Sequence, residues 1–461
     1  MVSDDLRQRL ARHGQDHLID LLHRLNDADR AELLRELERI DLSELLTLFE
    51  KRDRKDALPE RPHITALPNP ALSPADISAF RTRGEEAFRR GEVAFLVVAG
   101  GQGTRLGFDL PKGMFPIGPV SKKSLFQIHV EKILAVRRRF GAPLPLLIMT
   151  SPATDAETRR YFAANQNFGL PEKDVWTFCQ GTMPALDLAT GKLLLETASR
   201  LCLSPNGHGG TIAALAESGL LDRLEQQGVR TISYFQVDNP LTMIGDFAFV
   251  GRHALEDAQV SSKALPKASP MERVGNFALV DGRCAMIEYS DLPDAWAQEK
   301  DAAGNLLFWA GSPAIHLLDV AFLREIADNA DTLPWHLARK KVPHLGEADP
   351  KTPNALKFER FIFDILPHAD RWTVMTTTRD EEFAPVKNKD SDGVDCPSTA
   401  RQLMTNLAAK WLRDAGTRVP MDGDGNSIYQ IEISPLLAMD ADELRNRVKG
   451  IARIDRDTYL G

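Results

Sequence analysis

The chain has 461 residues, 43% hydrophobic and 26% charged, with 57 Lys and Arg against 65 Asp and Glu for a formal net charge of −8. These proportions fit a globular protein long enough for one large domain with appendages, or for two to three domains. The acidic balance argues against a nucleic-acid partner, and no 18-residue apolar run offers a membrane span. The opening MVSDDLRQRLARHGQDHLID lacks the apolar centre of a signal peptide, and Cys179, Cys202, Cys284 and Cys396 form no C-x-x-C pair. A reduced, cytoplasmic protein without a zinc or disulfide framework is expected.

In residues 3–52 leucines recur at three- and four-residue steps: Leu6 and Leu10, then Leu18, Leu21, Leu22 and Leu25, then Leu33, Leu34, Leu37 and Ile40. The spacing predicts helices, capped at Asn26 or Asp27 and at Asp41, whose stripes pack on this chain or on a partner. Pro59, Pro62, Pro68, Pro70 and Pro74 then crowd a stretch that reads as an extended surface connector.

From about residue 78, apolar strand candidates at 93–99, 145–151, 174–180 and 232–239 alternate with the helical stretches SLFQIHVEKILAVRRRFG and DAETRRYFAANQNFG. That alternation predicts an α/β fold, a Rossmann-like, mostly parallel sheet with helices on both faces. FALVDGRCAMIEYSDL (277–292) reads as a hairpin turned at Asp281-Gly282. A smaller tail with one helix follows. The expected division is 1–77 (helices and connector), 78–384 (central α/β domain) and 385–461 (small C-terminal domain).

The first strand candidate runs into AGGQGTRLGFDLPKGM, residues 99–114. Glycines after a buried strand let backbone N–H groups approach a phosphate, although a tight strand-to-helix turn uses glycines too. A dinucleotide fingerprint needs glycine where Leu106 stands, and a P-loop needs Gly-Lys-Ser/Thr, which is missing. What remains is a backbone cradle from Ala99, Gly100, Gly101, Gln102, Gly103 and Thr104 beside two cations, Arg105 and Lys112. That combination suits a triphosphate whose charge must be neutralised during transfer. Asp238 follows the strand at 232–239, where ligands sit in open α/β sheets, and its carboxylate can hold Mg²⁺ (or Mn²⁺).

With KKSLFQIHVEKIL, IMTSPATDAETRRYF, QGTMPALD, SPNGHGGTIAAL, QVDNPL, VGNFALVDGRCAMIEYSDL, NALKFERFIFDIL and FAPVKNKDS in the same order, the chain resembles the UDP-sugar pyrophosphorylase family, nearest its eukaryotic-type UDP-N-acetylglucosamine branch. The resemblance spans roughly residues 93–402. It implies a GT-A-like nucleotidyltransferase core and a uridylyltransferase that makes UDP-sugar and pyrophosphate from UTP and a sugar 1-phosphate. It assigns Asp238 the metal, Arg105, Lys112 and Lys387 the phosphates, and Gln180 and Gly207 the nucleotide. His208, Gly275 and Glu288 are assigned the sugar, Glu288 through two hydroxyls.

Ser312 and Ile315 stand in WAGSPAIHLL where the N-acetylglucosamine branch is expected to carry asparagines, and His208 is the residue typical of glucose-type relatives. Fewer amides would read the sugar less sharply. N-acetylglucosamine 1-phosphate ranks first as substrate, ahead of glucose or galactose 1-phosphate. The reading from another class is a non-catalytic UDP-sugar sensor, against which the full set of Arg105, Lys112, Asp238 and Lys387 speaks.

Overall fold

The leucine stripes form four short helices, Asp4–Arg12, Asp16–Arg24, Asp27–Leu37 and Leu42–Glu50, in a computed structural model that describes residues 3–53, 58–329, 332–448 and 451–461. Asn26 accepts from the Asp29 amide and Asp41 from the amides of Ser43 and Glu44, so the expected caps form. Helices this short are marginal alone. Leu10, Leu18, Leu22 and Leu33 are fully buried against Leu186, Leu193, Leu201, Leu356 and Phe358, and each buried leucine contributes about 1.5–3 kcal/mol. The stripes therefore pack on their own chain. Buried Gln15 adds a polar tie, donating to Gly191 O at 3.1 Å and accepting from Leu193 N at 2.9 Å. Strands His336–Lys340, Ala355–Glu359 and Leu186–Asp187 form the small sheet of this region.

An eleven-stranded mixed sheet organises the rest. Its strands are β1 (Ile64–Ala66), β2 (Val93–Val98), β3 (Leu146–Thr150), β4 (Val175–Cys179), β5 (Thr231–Gln236), β6 (Val260–Pro266), β7 (Asn276–Val280), β8 (Arg283–Ile287), β9 (Ala310–Gly311), β10 (His316–Asp319) and β11 (Trp372–Thr376). The order is β1-β7-β9-β6-β10-β5-β2-β3-β4, with β8 on β7 and β11 on β6. The run β5-β2-β3-β4 is parallel. Its β2 reads VAFLVV, a continuous apolar run buried almost throughout, as a strand covered on both faces requires. Antiparallel β10 joins this run to β6, which pairs in parallel with β11.

Two details refine the expectations. The proline-rich stretch holds β1, an edge strand where flanking prolines cost no ladder bond. Pro74 opens the helix Pro74–Arg89, capped reciprocally by Ser73 and Asp76. The β7–β8 hairpin turns at Asp281 (φ 48°) and Gly282 (φ 81°), both left-handed as a two-residue turn demands.

By packing, the chain divides into two compact units. One comprises the described residues of Met1–Leu58, Gln180–Ala213 and Ala330–Asp364; the other, those of Pro59–Cys179, Ala214–Asn329 and Ile365–Gly461. The three consecutive segments expected from the sequence cut the chain elsewhere. Leucine helices need an apolar partner, and residues distant in sequence supply it. Residues from 397 onward do have a small core of their own, with Ala408, Leu412, Ile431, Leu444 and Ile454 buried together. Among the described residues no helix is long and apolar enough to cross a membrane, and all four cysteines are free.

Candidate active site

Strands β2 and β5 lie side by side in parallel, and the candidate phosphate-binding groups follow their carboxyl ends. Ala99 extends β2, its N–H donating to Met149 O at 2.8 Å. The loop then folds back on itself: Gly103 N donates to Leu110 O at 2.9 Å and Lys112 N to Gly101 O at 3.0 Å. A Cβ on Gly103 would meet Phe108 and Leu110 O at 2.7–2.9 Å, whereas one on Gly101 would meet nothing within 4 Å. Gly103 thus closes the lobe, and Gly101 faces open space where a ligand can approach. Ser151 Oγ bonds Gly100 O at 2.8 Å and Gln102 Nε2 bonds Ala153 O at 2.9 Å. Gln102 Oε1 is buried without a hydrogen-bond partner among the described residues. The short turn Thr104–Leu106 leaves Arg105 exposed and without an ion pair among the described residues.

Lys112 Nζ lies 3.2 Å from Asp238 Oδ2, the two side chains 16% and 11% exposed. Asp238 O accepts from Val386 N at 2.9 Å, which places Lys387 beside this pair, and Lys387 N donates to Asp395 O at 2.7 Å. Burial pushes the Asp395 carboxyl up, with Lys387 opposing the shift.

Below Asp238 lies a buried polar frame that sequence reasoning missed. Asn239, 3% exposed, donates to Glu382 O at 2.6 Å and accepts from Ala384 N at 2.9 Å, tying the Asp238 turn to the segment leading to Lys387. Glu382 accepts from Lys263 at 2.5 Å and Thr377 at 2.6 Å. Lys132 donates to Pro240 O and Thr242 O at 2.6 and 2.8 Å, and burial lowers its pKa to about 7. The Asn-Pro pair after Asp238 was the one local signal; the buried charges had none.

The expected sugar-binding residues of this unit also meet. Ser312 N donates to Gly275 O at 2.9 Å, and a Cβ on Gly275 would lie 3.5 Å from Glu288 Oε1. Ser312 Oγ accepts from Ala314 N at 3.2 Å.

Gln180, Gly207 and His208 belong to the other compact unit. Gly207 has φ +84° and sits against the Arg360 backbone, where a Cβ would lie 2.4 Å from Arg360 O. Its glycine is thus required by the fold. A histidine among glycines has little to pack against in its own segment, yet His208 is packed by residues distant in sequence. His208 stacks on Phe361 with centroids 5.3 Å apart and lies edge-on to Phe363 at 5.7 Å. The aromatic partners come from RFIFDIL, far along the chain. Burial, and then His336, lower the His208 pKa to about 4. Its Nδ1 accepts from Ile362 N at 3.1 Å, so the neutral ring carries its proton on Nε2, a single oriented donor.

Among the described residues no group of three or more His, Cys, Asp or Glu forms a metal cage. Mg²⁺ seldom uses one: it keeps waters and binds through one or two carboxylates plus substrate phosphates, which the single carboxylate Asp238 fits.

Comparison with known proteins shows what the chain as a whole is similar to. The family model described as UTP–glucose-1-phosphate uridylyltransferase matches residues 53–454. A probable UDP-N-acetylglucosamine pyrophosphorylase of Dictyostelium discoideum is 32% identical over 468 residues, 96% of this chain and 95% of the relative. The UDP-N-acetylglucosamine pyrophosphorylase of Saccharomyces cerevisiae is 36% identical over 347 residues, 73% of each chain. Among solved structures, the uridine diphosphate N-acetylglucosamine pyrophosphorylase of Trypanosoma brucei, in complex with an inhibitor, superposes with TM-score 0.82 at 30% identity, covering 97% of this chain and 95% of that one.

Proposed function

From the UTP–glucose-1-phosphate uridylyltransferase family, to which this chain belongs, we infer a UTP:sugar-1-phosphate uridylyltransferase that makes UDP-N-acetylglucosamine and pyrophosphate from UTP and N-acetylglucosamine 1-phosphate. The observation that carries this reading is the Lys112–Asp238 pair, on segments that follow the carboxyl ends of adjacent parallel strands, in a chain that aligns almost end to end with UDP-N-acetylglucosamine pyrophosphorylases.

A phosphate oxygen of the sugar 1-phosphate attacks the α-phosphorus of UTP in line. The bond to the β-phosphate oxygen breaks, and pyrophosphate leaves with the electron pair. No protein nucleophile takes part, so the protein supplies position and charge. The loop Ala99–Thr104 cradles the triphosphate, its donors coming from Gly100, Gly101, Gln102 and Thr104 because the Ala99 and Gly103 N–H groups are taken by Met149 O and Leu110 O. Arg105 and Lys112 neutralise it, and Lys387 holds the sugar phosphate. Asp238 would hold Mg²⁺ (or Mn²⁺), which when bound neutralises phosphate charge. Gln180 and Gly207 meet the nucleotide; His208, Gly275, Glu288 and Ser312 meet the sugar, His208 donating from Nε2. Four free cysteines and the lack of a membrane-crossing helix among the described residues support a cytoplasmic location.

The serine at position 312, where an amide was expected, keeps glucose and galactose 1-phosphates as the second reading. Pyrophosphate release from UTP with each of the three sugar 1-phosphates tests both. N-acetylglucosamine 1-phosphate should give the highest kcat/KM. A preference for glucose 1-phosphate overturns the sugar assignment, and no release with any sugar overturns the enzyme in favour of the UDP-sugar sensor.

A further inference from the structure

The loop that carries Lys112 does not end at the phosphate cradle. Lys112–Met114 form one short helical turn, after which Phe115 O accepts from Leu125 N at 3.1 Å and Pro116 bridges Ser124. The excursion between them, residues 117–123, closes on itself: Ile117 N and Gly118 N both donate to Lys123 O, at 2.9 and 3.0 Å. Every one of these bonds lies within the loop or at its junction with the helix Leu125–Phe140, and none fixes the excursion from outside.

Three side chains from the C-terminal tail supply that fixation. Glu432, 6% exposed on the strand Ile431–Ile433, accepts from Val120 N at 2.9 Å and Ser121 N at 2.7 Å through Oε2, and from Ser121 Oγ at 2.5 Å through Oε1. Arg401, from the helix Pro397–Asp414, donates to Pro116 O at 2.8 Å. The hydroxyl of Tyr459 accepts from Lys123 Nζ at 2.6 Å, and Lys123 also pairs with Glu131 at 2.7 Å. A carboxylate that collects two consecutive backbone N–H groups and a hydroxyl is a charge-assisted anchor, stronger than a neutral hydrogen bond. A surface appendage packing on its neighbour would use apolar contact. Besides the apolar packing of Ala400, Leu403, Met404 and Leu407 on the core of the main sheet, this tail directs one buried charged group and two further polar groups at a single excursion, and each residue comes from a different element of the tail.

We propose that the C-terminal tail is a positioning element for the phosphate-binding lysine: Glu432, with Arg401 and Tyr459 in support, holds the 116–123 excursion so that Lys112 stays opposed to Asp238. Glu432 touches no substrate. It acts through the backbone that sets where the Lys112 ammonium stands, and a misplacement of about 1 Å can cost on the order of a hundredfold in rate. This inference rests on the phosphate role proposed for Lys112.

The test joins a double-mutant cycle to hydrogen exchange in the full-length protein. Glu432→Ala should lower kcat/KM for UTP at least tenfold in otherwise native protein and change it less than twofold in a Lys112→Ala background. Equal losses in both backgrounds would mean that Glu432 acts independently of Lys112, and would overturn the proposal. Hydrogen exchange needs no turnover: in Glu432→Ala, faster exchange should spread from Val120 and Ser121 to Lys112–Phe115. Faster exchange confined to residues 118–123 would overturn the coupling even if the protein proved to be no uridylyltransferase. Should Glu432→Ala fail to fold, Tyr459→Phe, at a partly exposed site, is read in the same cycle. It should lower kcat/KM at least twofold, with the loss absent in Lys112→Ala, and an unchanged or additive result refutes it.

Discussion

Lys112→Ala removes a cation held 3.2 Å from Asp238 in a site where both side chains are mostly buried. In the proposed reaction that ammonium faces the triphosphate as negative charge moves onto the departing pyrophosphate. A unit charge about 4 Å from another, at an effective dielectric of about 20, interacts by about 4 kcal/mol. At 1.36 kcal/mol per tenfold in rate, that is close to a thousandfold. UTP is charged before it reacts, so the loss divides between KM and kcat and all of it counts in kcat/KM. Because the ammonium is already paired with Asp238 before UTP binds, the expected fall in kcat/KM for UTP is about 10²–10³-fold. Lys112→Arg separates charge from placement. It keeps the cation but replaces a compact ammonium by a planar fork, and should recover only part of the loss. The assay is continuous pyrophosphate release with UTP varied at saturating N-acetylglucosamine 1-phosphate, alongside thermal unfolding of each variant. A loss below threefold in folded Lys112→Ala, or one confined to KM for the sugar phosphate, refutes the assignment of Lys112 to the triphosphate.

Three further outcomes are expected. Gly113→Ala places a Cβ 2.3 Å from the Phe126 ring; such overpacking costs about 1–3 kcal/mol, and because the turn Lys112–Met114 must shift, activity should fall along with Tm, whereas native activity would show that the turn tolerates movement. Chelation with EDTA should abolish turnover and added Mg²⁺ restore it, with Asp238→Asn needing more Mg²⁺ for half-maximal rate; turnover undiminished by EDTA would remove the metal from the mechanism. Burial holds the pKa of His129, His208 and His253 at about 3, 4 and 3 in the folded chain, below their ordinary 6.5. Below pH 6.5 the unfolded chain protonates these rings and the folded chain does not, so stability present above 6.5 is lost as pH falls towards 4, by about 1.4 kcal/mol per pH unit for each ring. Urea unfolding between pH 7 and 4.5 should show that slope, reduced by about one proton in His253→Gln; an unchanged slope refutes the buried neutral state of His253.

What could be read in the sequence was what short-range chemistry dictates. Helix caps at Asn26 and Asp41, the Asp281-Gly282 turn and the apolar run of β2 are each decided within a few residues, and each forms as expected. The glycine loop was legible for the same reason, since spacing alone separates it from two other phosphate cradles. The long-range partners could not be read. Nothing near His208 announces Phe361 and Phe363, which turn a histidine among glycines into a packed, neutral donor. Nothing near Asp238 announces Lys132 or Glu382, because a buried charge looks in sequence like a solvated one until its partner is known. The grouping of the chain by packing was not legible on the same ground. Leucine stripes state that a core is needed and not which residues complete it, and Leu193, Leu356 and Phe358 lie well over a hundred residues from the helices they cover. The glycine loop with Arg105 and Lys112, and Asp238 at its strand end, are thus the substrate groups whose chemistry is visible locally, while Gln180, His208, Glu288 and Lys387 take their roles from the family resemblance. Those that hold them in place, Asn239, Glu382 and Glu432, are visible only once the chain has folded, and mutation at these positions should change activity without touching a single group that the reaction uses.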